Sequence, residues 1–467
     1  MKEIFKVKSI SNLIQETQGE HALKKSLHAY ELVLLGIGAI VGTGIFVITG
    51  LAAANFSGPA LVISFLIAGI TCILAAFSYA EFASIVPVSG SAYTYSYASL
   101  GEIWAWIIGW DLILEYIVAV GSVAIGWSGY MTQLLSNMGI NLPKSLTNTP
   151  MNGGIINLPA VLILVLISAL LMIGVSQSAK LNTVIVTIKL VVIVLFIILA
   201  AGHVKPANWT PFMPYGWKGV MRGAAYVFYA YLGFDAVSTA AEEVRNPQKD
   251  MPKGIIGSLL ICTVLYIVVS ILLTGIVPYQ SFKNTSAPVA YALAQIGYSW
   301  GSSLVSVGAI CGITSVLLVM TYGATRIVFA MSRDGLLPKK LGSVHPKTQT
   351  PVIATCLIGL ATAFVAGFFP LDVVSELTNI GTLAAFIIVS IGVIVLRKRR
   401  PDLKRGFRCP FVPVLPIVAA IACFILILQL NDLTKLRFVV WLALGLIVYF
   451  AYSRSHSTER GKSDTEE

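Results

Sequence analysis

Apolar runs of about twenty residues follow one another almost end to end along this chain, near 30-54, 59-83, 103-130, 157-175, 181-202, 221-242, 254-276, 302-330, 351-368, 373-396, 412-430 and 437-453. The hydrocarbon core of a bilayer is about 30 Å thick and takes roughly 20 apolar helical residues to cross. Backbone groups there must be hydrogen-bonded internally, which leaves helices or a closed barrel, and these runs are far too long for barrel strands. The expected fold is therefore an all-α integral membrane protein with 12 transmembrane helices. Composition agrees, since 57% of the 467 residues are hydrophobic and only 11% charged, against about 25% charged in soluble domains.

Residues 1-29 are polar and lysine-bearing, without an apolar core ahead of a small-residue cleavage site, so no removable signal peptide is expected. With the N-terminus in the cytoplasm, 23 of the 32 Lys and Arg fall on the inner side and 7 on the outer, while Lys189 and Arg326 lie within spans. This positive-inside asymmetry places both termini on the cytoplasmic side of the membrane. The basic run Arg397-Lys398-Arg399-Arg400 sits at a span end, where it anchors to membrane lipid, so the net charge of +11 calls for no nucleic acid. Six cysteines without a CxxC pair offer neither a disulfide framework nor a zinc site. His21, His28, His203, His345 and His456 fall in tails or loops, with no HExxH and no GxSxG, so neither an enzyme nor a cofactor is expected.

The first span carries Gly36, Gly38, Gly42 and Gly44 within nine residues, and Gly42 falls near its centre. Glycines weaken a helix there, but they let the backbone open and approach a ligand. An opening at mid-membrane leaves amides at the start of the outer half-helix, where the dipole favours an anion, and free carbonyls at the end of the inner half. A zwitterion fits both. The Gly38-Gly42 spacing also reads as a helix-packing GxxxG. A second interruption, Tyr229-Ala230-Tyr231-Leu232-Gly233-Phe234-Asp235, lies about halfway through the sixth span. Two interrupted spans five helices apart imply a 5+5 inverted repeat whose breaks meet around one midplane cavity. The organisation is then a cytoplasmic segment 1-29, a first repeat 30-202, a second repeat 221-396, helices 11 and 12 in 412-453, and a cytoplasmic tail 454-467.

Three motifs stand in order on this frame: Gly42-Thr43-Gly44-Ile45-Phe46 on the first span, Pro87-Val88-Ser89-Gly90-Ser91-Ala92-Tyr93 after the second, and Glu242-Glu243-Val244-Arg245-Asn246-Pro247 after the sixth. Here the chain resembles the amino acid-polyamine-organocation superfamily, and within it bacterial members of the cationic amino acid transporter family, from about residue 24 to about residue 450. The resemblance implies a LeuT-like fold with broken helices 1 and 6, working by alternating access. It implies that the segment Ile40, Val41, Gly42, Thr43 and Gly44 and the segment Tyr229, Ala230 and Leu232 bind the substrate. The amides of Thr43 and Gly44 would hold its carboxylate, and the carbonyls of Ile40, Tyr229 and Leu232 its ammonium. Tyr229 would be the aromatic gate, with ordinary packing as the alternative. Met320 would flank the side chain, and a thioether there offers no charge partner. That favours a small or medium neutral amino acid, with cationic substrates left open.

Ionisable residues at membrane depth are functional candidates by default. Arg326, Glu81, Glu102, Glu242 and Glu243 sit at cytoplasmic span ends, where snorkelling or capping suffices. Lys189, Asp111, Glu115 and Asp235 lie deeper. Lys189 is roughly 12 Å into span five, and the resemblance implies that such a lysine replaces the sodium ion of related carriers and couples transport to a proton. Asp111 and Glu115 are one turn apart on span three, where two carboxylates in low dielectric resist ionising together. Glu115 is the favoured proton carrier because it lies nearer the breaks, and Asp235 follows the second break. The expected activity is proton-coupled amino acid import. The alternatives are amino acid exchange, a cationic amino acid carrier, sodium coupling, which Lys189 argues against, and a channel or non-transporting nutrient sensor. No residue speaks for an oligomeric state or an accessory subunit.

Overall fold

The computed structural model describes residues 5–8, 27–86, 91–174, 179–348 and 350–457, apart from the side chains of 179–182, 236, 239, 242 and 284. His21, most of segment 1-29, residues 87–90 of the second motif, the Glu242 side chain and the tail beyond residue 457 lie outside the described residues.

Helix α1 (Ala29–Ile40) begins where the Glu31 carboxylate accepts the His28 N–H at 2.7 Å, the returning half of a capping box. It stops at an extended Val41 (φ −76°, ψ 102°). Helical backbone resumes at Gly44 as two π-type turns, Gly44–Ile48 and Ala53–Ser57, flanking Thr49–Ala52. Gly58, at φ +58°, ends that stretch, and α2 (Leu61–Ile85) follows. The helical run Gly44–Ile85 has 42 residues, which as one rod would measure about 63 Å, twice the hydrocarbon thickness. The turn at Gly58 divides it into two pieces of membrane scale.

Next come α3 (Ser91–Ser99), α4 (Glu102–Asn137), α5 (Leu158–Met172), α6 (Ala179–Ala201), α7 (Gly216–Val227) and α8 (Pro247–Ile276). The chain continues through α9 (Ser299–Arg333), α10 (Val352–Phe368), α11 (Leu371–Arg399), α12 (Val414–Gln429) and α13 (Asp432–Val448). Among the described residues, seven helical runs are long and apolar enough to cross a membrane, and four apolar helices are shorter, α1 among them. The protein is thus an all-helical membrane protein whose long helices alternate with short or interrupted ones.

The most extensive helix pairings are α4 with α9 and α2 with α8. The buried residues of α2 include Ser64, Ala68, Cys72, Ala75 and Ala76, small side chains that let a neighbouring backbone come close in a medium that supplies no hydrophobic drive between helices. Outward faces remain apolar, as with Leu360 at 67% and Ile198 at 67% exposure. A single isolated bridge, Leu27 with Val244, joins the entry of α1 to the third sequence motif. The Leu27 N–H donates to Glu243 O at 3.0 Å, and the Arg245 N–H donates to Leu27 O at 3.1 Å. Pro247 then opens α8, where a missing N–H costs nothing.

Two expectations change. Region 84-101 reads in sequence as a short re-entrant or interfacial turn, and the interfacial reading gives way because Ser91–Ser99 is a helix buried at every position, wedged against α4 and α11. Its tyrosines point in all directions because protein surrounds it on all sides. Helix α4 runs on to Asn137, well past the expected end near 130, so the loop after it is shorter and holds the helical turns Lys144–Thr147 and Pro150–Asn152.

Candidate functional site

The second interruption begins where α7 ends at Val227. Phe228–Tyr231 forms a 3-10 turn closed by the Leu232 N–H on Tyr229 O at 3.2 Å. Leu232 is then extended (φ −59°, ψ 143°) and Gly233 takes φ +101°, a conformation that side chains disfavour. The two interruptions cross backbone to backbone. A Cβ on Gly44 would lie 2.5 Å from Ala230 Cα, and one on Gly233 would lie 2.9 Å from Ala39 O. Only glycine at both positions permits this approach. Tyr266 of α8 ties the crossing together, its hydroxyl 3.0 Å from Ile40 O and 2.7 Å from Ala230 O, sharing one proton between carbonyls that the two breaks release. Lys189 of α6 takes another such carbonyl. Fully buried, its Nζ donates to Gly38 O at 2.8 Å.

On the α1 side of the crossing lies a cavity of about 160 Å³. Glu115 and Tyr116 of α4, Leu232 and Asp235 of the second break, and Met320 and Arg326 of α9 form part of its wall. Ser91 donates to Asp235 Oδ2 at 3.4 Å. Glu115 Oε2 is buried without a hydrogen-bond partner among the described residues, a costly condition for a polar atom and one that marks it as available to a ligand or proton.

Beyond the crossing, the same helices meet directly. Tyr229 is buried, its hydroxyl 2.5 Å from Ser122 Oγ of α4. Ser122 gives its own proton to Ala119 O at 2.8 Å, so Tyr229 is the donor. The Tyr130 hydroxyl donates to Phe46 O at 2.7 Å, and the two rings meet edge to face at 5.9 Å. Thr43 is buried, with its side chain beside the Tyr229 hydroxyl.

The family model for amino acid permeases matches residues 28–452. The chain belongs to the amino acid permease family. It is a bacterial-type member of the amino acid-polyamine-organocation superfamily, allied to the cationic amino acid transporters. It is 53% identical to a branched-chain amino acid permease of Bacillus subtilis (strain 168), covering 97% of this chain and 98% of that one. It is 52% identical to a methylthioribose transporter of the same organism, over 98% and 99%. A human cationic amino acid transporter 4 is 39% identical over 82% of this chain and 61% of its own length. Family and relatives are transporters, and this permease is a multi-pass membrane protein with an amino acid transporter's architecture.

In the permease the structure gathers Leu232, Met320, Glu115 and Asp235 around the cavity. Ile40, Val41, Gly42, Thr43, Gly44, Tyr229 and Ala230 belong to the crossing and to its sealed far side, all buried. Asp111 stands apart. Its Oδ1 also lacks a hydrogen-bond partner among the described residues, but it faces Gly381 of α11 and is outside the cavity wall. One turn of spacing on α4 therefore gives two different surroundings. Glu81 is bound to Arg397 at 2.6 Å and Arg405 at 3.2 Å, and accepts the Cys409 N–H, which makes it a clamp between α2, the end of α11 and the segment after it. Tyr93, Tyr116, Tyr266 and Arg326 are the residues that sequence reasoning left without a role in the site. Tyr93 and Tyr116 carried a signal, one closing the second motif and the other following Glu115 directly, whereas Tyr266 carried none.

Proposed function

We propose that the permease imports a small or medium neutral L-amino acid together with a proton, by alternating access in a bacterial inner membrane with both termini cytoplasmic. The observation that carries this reading is the crossing itself, where Gly44 meets Ala230 and Gly233 meets Ala39. Opened backbone at mid-membrane offers amides and carbonyls within a few ångströms of each other, the complement of a carboxylate beside an ammonium. Twelve spans in a 5+5 inverted repeat follow if α2 and α4 correspond to α8 and α9. The dominance of the α2–α8 and α4–α9 pairings supports that correspondence, because each joins a helix to its counterpart five spans on. A cavity open on the α1 side then makes this the inward-facing state.

The apolar wall around Met320, Val316 and Val319 supports a neutral aliphatic side chain, as does the likeness to a branched-chain amino acid permease. Lys189 on Gly38 O supports proton coupling, since a buried ammonium occupies carbonyls that a sodium ion would otherwise need. Uptake by the purified protein in liposomes under an imposed pH gradient tests the reading, with all twenty amino acids and methylthioribose as competitors. Branched-chain and other neutral amino acids are expected to compete and to accumulate against their gradient. Competition by methylthioribose alone would refute the amino acid assignment. Lys189→Ala is expected to abolish uptake driven by the pH gradient, and gradient-driven uptake that survives unchanged removes Lys189 from coupling. Uptake driven by sodium without a pH gradient overturns proton symport.

A further inference from the structure

Arg326 stands where two cavities meet. It and Tyr322 belong both to the central cavity and to a second cavity of about 330 Å³, bounded by Leu171 at the end of α5, Phe329 of α9, Val344 and Thr348 of the following loop and Thr355 of α10. The guanidinium lies over the Tyr322 ring, 4.3 Å from its centroid, and Nη2 donates to the Tyr322 hydroxyl. That contact holds the side chain one turn back along its own helix and occupies one of five N–H donors. Among the described residues no carboxylate forms an ion pair with it. Arg326 lies seven residues before the end of α9 at Arg333, about 10 Å inside the helix end, and its side chain is exposed to the two hollows. Snorkelling alone does not account for a guanidinium that faces two hollows.

The second cavity presents threonine hydroxyls and apolar side chains opposite Arg326, and no Asp or Glu among its described lining residues. It holds a charged partner for a carboxylate, a wall for an apolar tail and hydroxyl oxygens that can accept from an ammonium. We propose that this cavity is a second binding site, for a small carboxylate with an apolar side chain, held by Arg326 on the path between the central cavity and the membrane face that carries the end of α9. The ligand has two sources of the same chemistry. One is the transported amino acid, handed on after the broken helices release its carboxylate, a role that rests on the amino acid reading above. The other is the 2-oxo acid that transamination makes from that amino acid.

Equilibrium binding of radiolabelled leucine and of 4-methyl-2-oxopentanoate to the purified full-length protein separates these sources. The parent is expected to bind leucine at two sites per chain and the oxo acid at one. Arg326→Gln is expected to weaken oxo acid binding about tenfold or more, the loss expected for a charge-assisted hydrogen bond. Thr348→Trp, which fills the second cavity from a loop and does not line the central one, is expected to weaken oxo acid binding likewise and to keep one leucine site at its original affinity, which also reports that it is folded. A loss confined to leucine assigns the site to the transported amino acid, and one confined to the oxo acid assigns it to the metabolite. Oxo acid binding and leucine stoichiometry that survive both substitutions overturn the proposal. A parent with one leucine site and no oxo acid site also overturns it and leaves the amino acid reading standing. A parent that binds no leucine defeats that reading instead.

Discussion

The two sides of the crossing between the broken helices are built differently. On the α1 side, Glu115, Asp235 and Arg326 surround a cavity that is open among helices. On the far side, Tyr229 meets Ser122 and Tyr130 meets Phe46, each through a single hydrogen bond. Such bonds are worth about 1 kcal/mol each net of the water they replace, so the far side is a seal that thermal energy can open. The crossing has no such give, because Gly44 and Gly233 set backbone against backbone. A rigid pivot between an open cavity and a weak seal is the minimum that alternating access requires.

Substituting the pivot should therefore have the largest effect. Gly44→Ala places a methyl 2.5 Å from Ala230 Cα, an atom that cannot rotate away. Overpacking of this kind costs up to about 3 kcal/mol, so we expect binding and uptake to fall about 100-fold. Gly42→Ala is the control. Its methyl would meet Val316 Cγ2 at 3.3 Å, a side chain that can yield by a few tenths of an ångström, and uptake should stay within about threefold of the parent, as for a small repacking. Equal effects from the two substitutions, measured on protein of matched quantity in liposomes, would dissolve the distinction between pivot and seal.

How much of this was legible in sequence follows from which forces act locally. An all-helical membrane protein was legible because lipid leaves the backbone little choice but the helix, so hydropathy alone marks that class. The interruptions were legible because four glycines in nine residues and a Leu-Gly pair between aromatics are local conformational statements. Facing was not. Asp111 and Glu115 share a helix face by spacing and both meet Gly381 of α11, yet only Glu115 lines the cavity, an outcome set by a helix 260 residues later in the chain. Tyr266 is one of 18 tyrosines and becomes special only because two carbonyls from different breaks arrive beside it. Arg326 read as a residue reaching for the membrane face because depth is visible in sequence, whereas the azimuth of α9 is not.

The contrast between Glu115 and Asp111 sharpens the open side. If the cavity carboxylate carries the proton, Glu115→Gln should cut uptake driven by a pH gradient about tenfold or more, the scale of losing one charge-assisted hydrogen bond. Asp111→Asn, isosteric and outside the cavity wall, should change it by less than about threefold, within the range of substitutions away from a site. Counterflow at equal pH on both sides should be spared in Glu115→Gln, since exchange needs no net proton movement. A larger loss in Asp111→Asn than in Glu115→Gln would move the proton site one turn along α4.

The smallest expected effect bears on the seal. Tyr229→Phe and Ser122→Ala each delete one hydrogen bond between the second break and α4. Loss of about 1 kcal/mol from the closed far side raises the population of the opposite state about fivefold. Apparent affinity for substrate presented from outside should rise by the same factor, because less of the binding energy goes into opening the seal. The two substitutions remove the same bond, so the double variant should gain no more than either one alone, and a double-mutant cycle should return a coupling of about 1 kcal/mol. Were the Tyr229 hydroxyl instead a direct ligand of the substrate, Tyr229→Phe would weaken affinity while Ser122→Ala left it intact, a change of opposite sign. Additive effects of either sign would mean that the bond between them seals nothing.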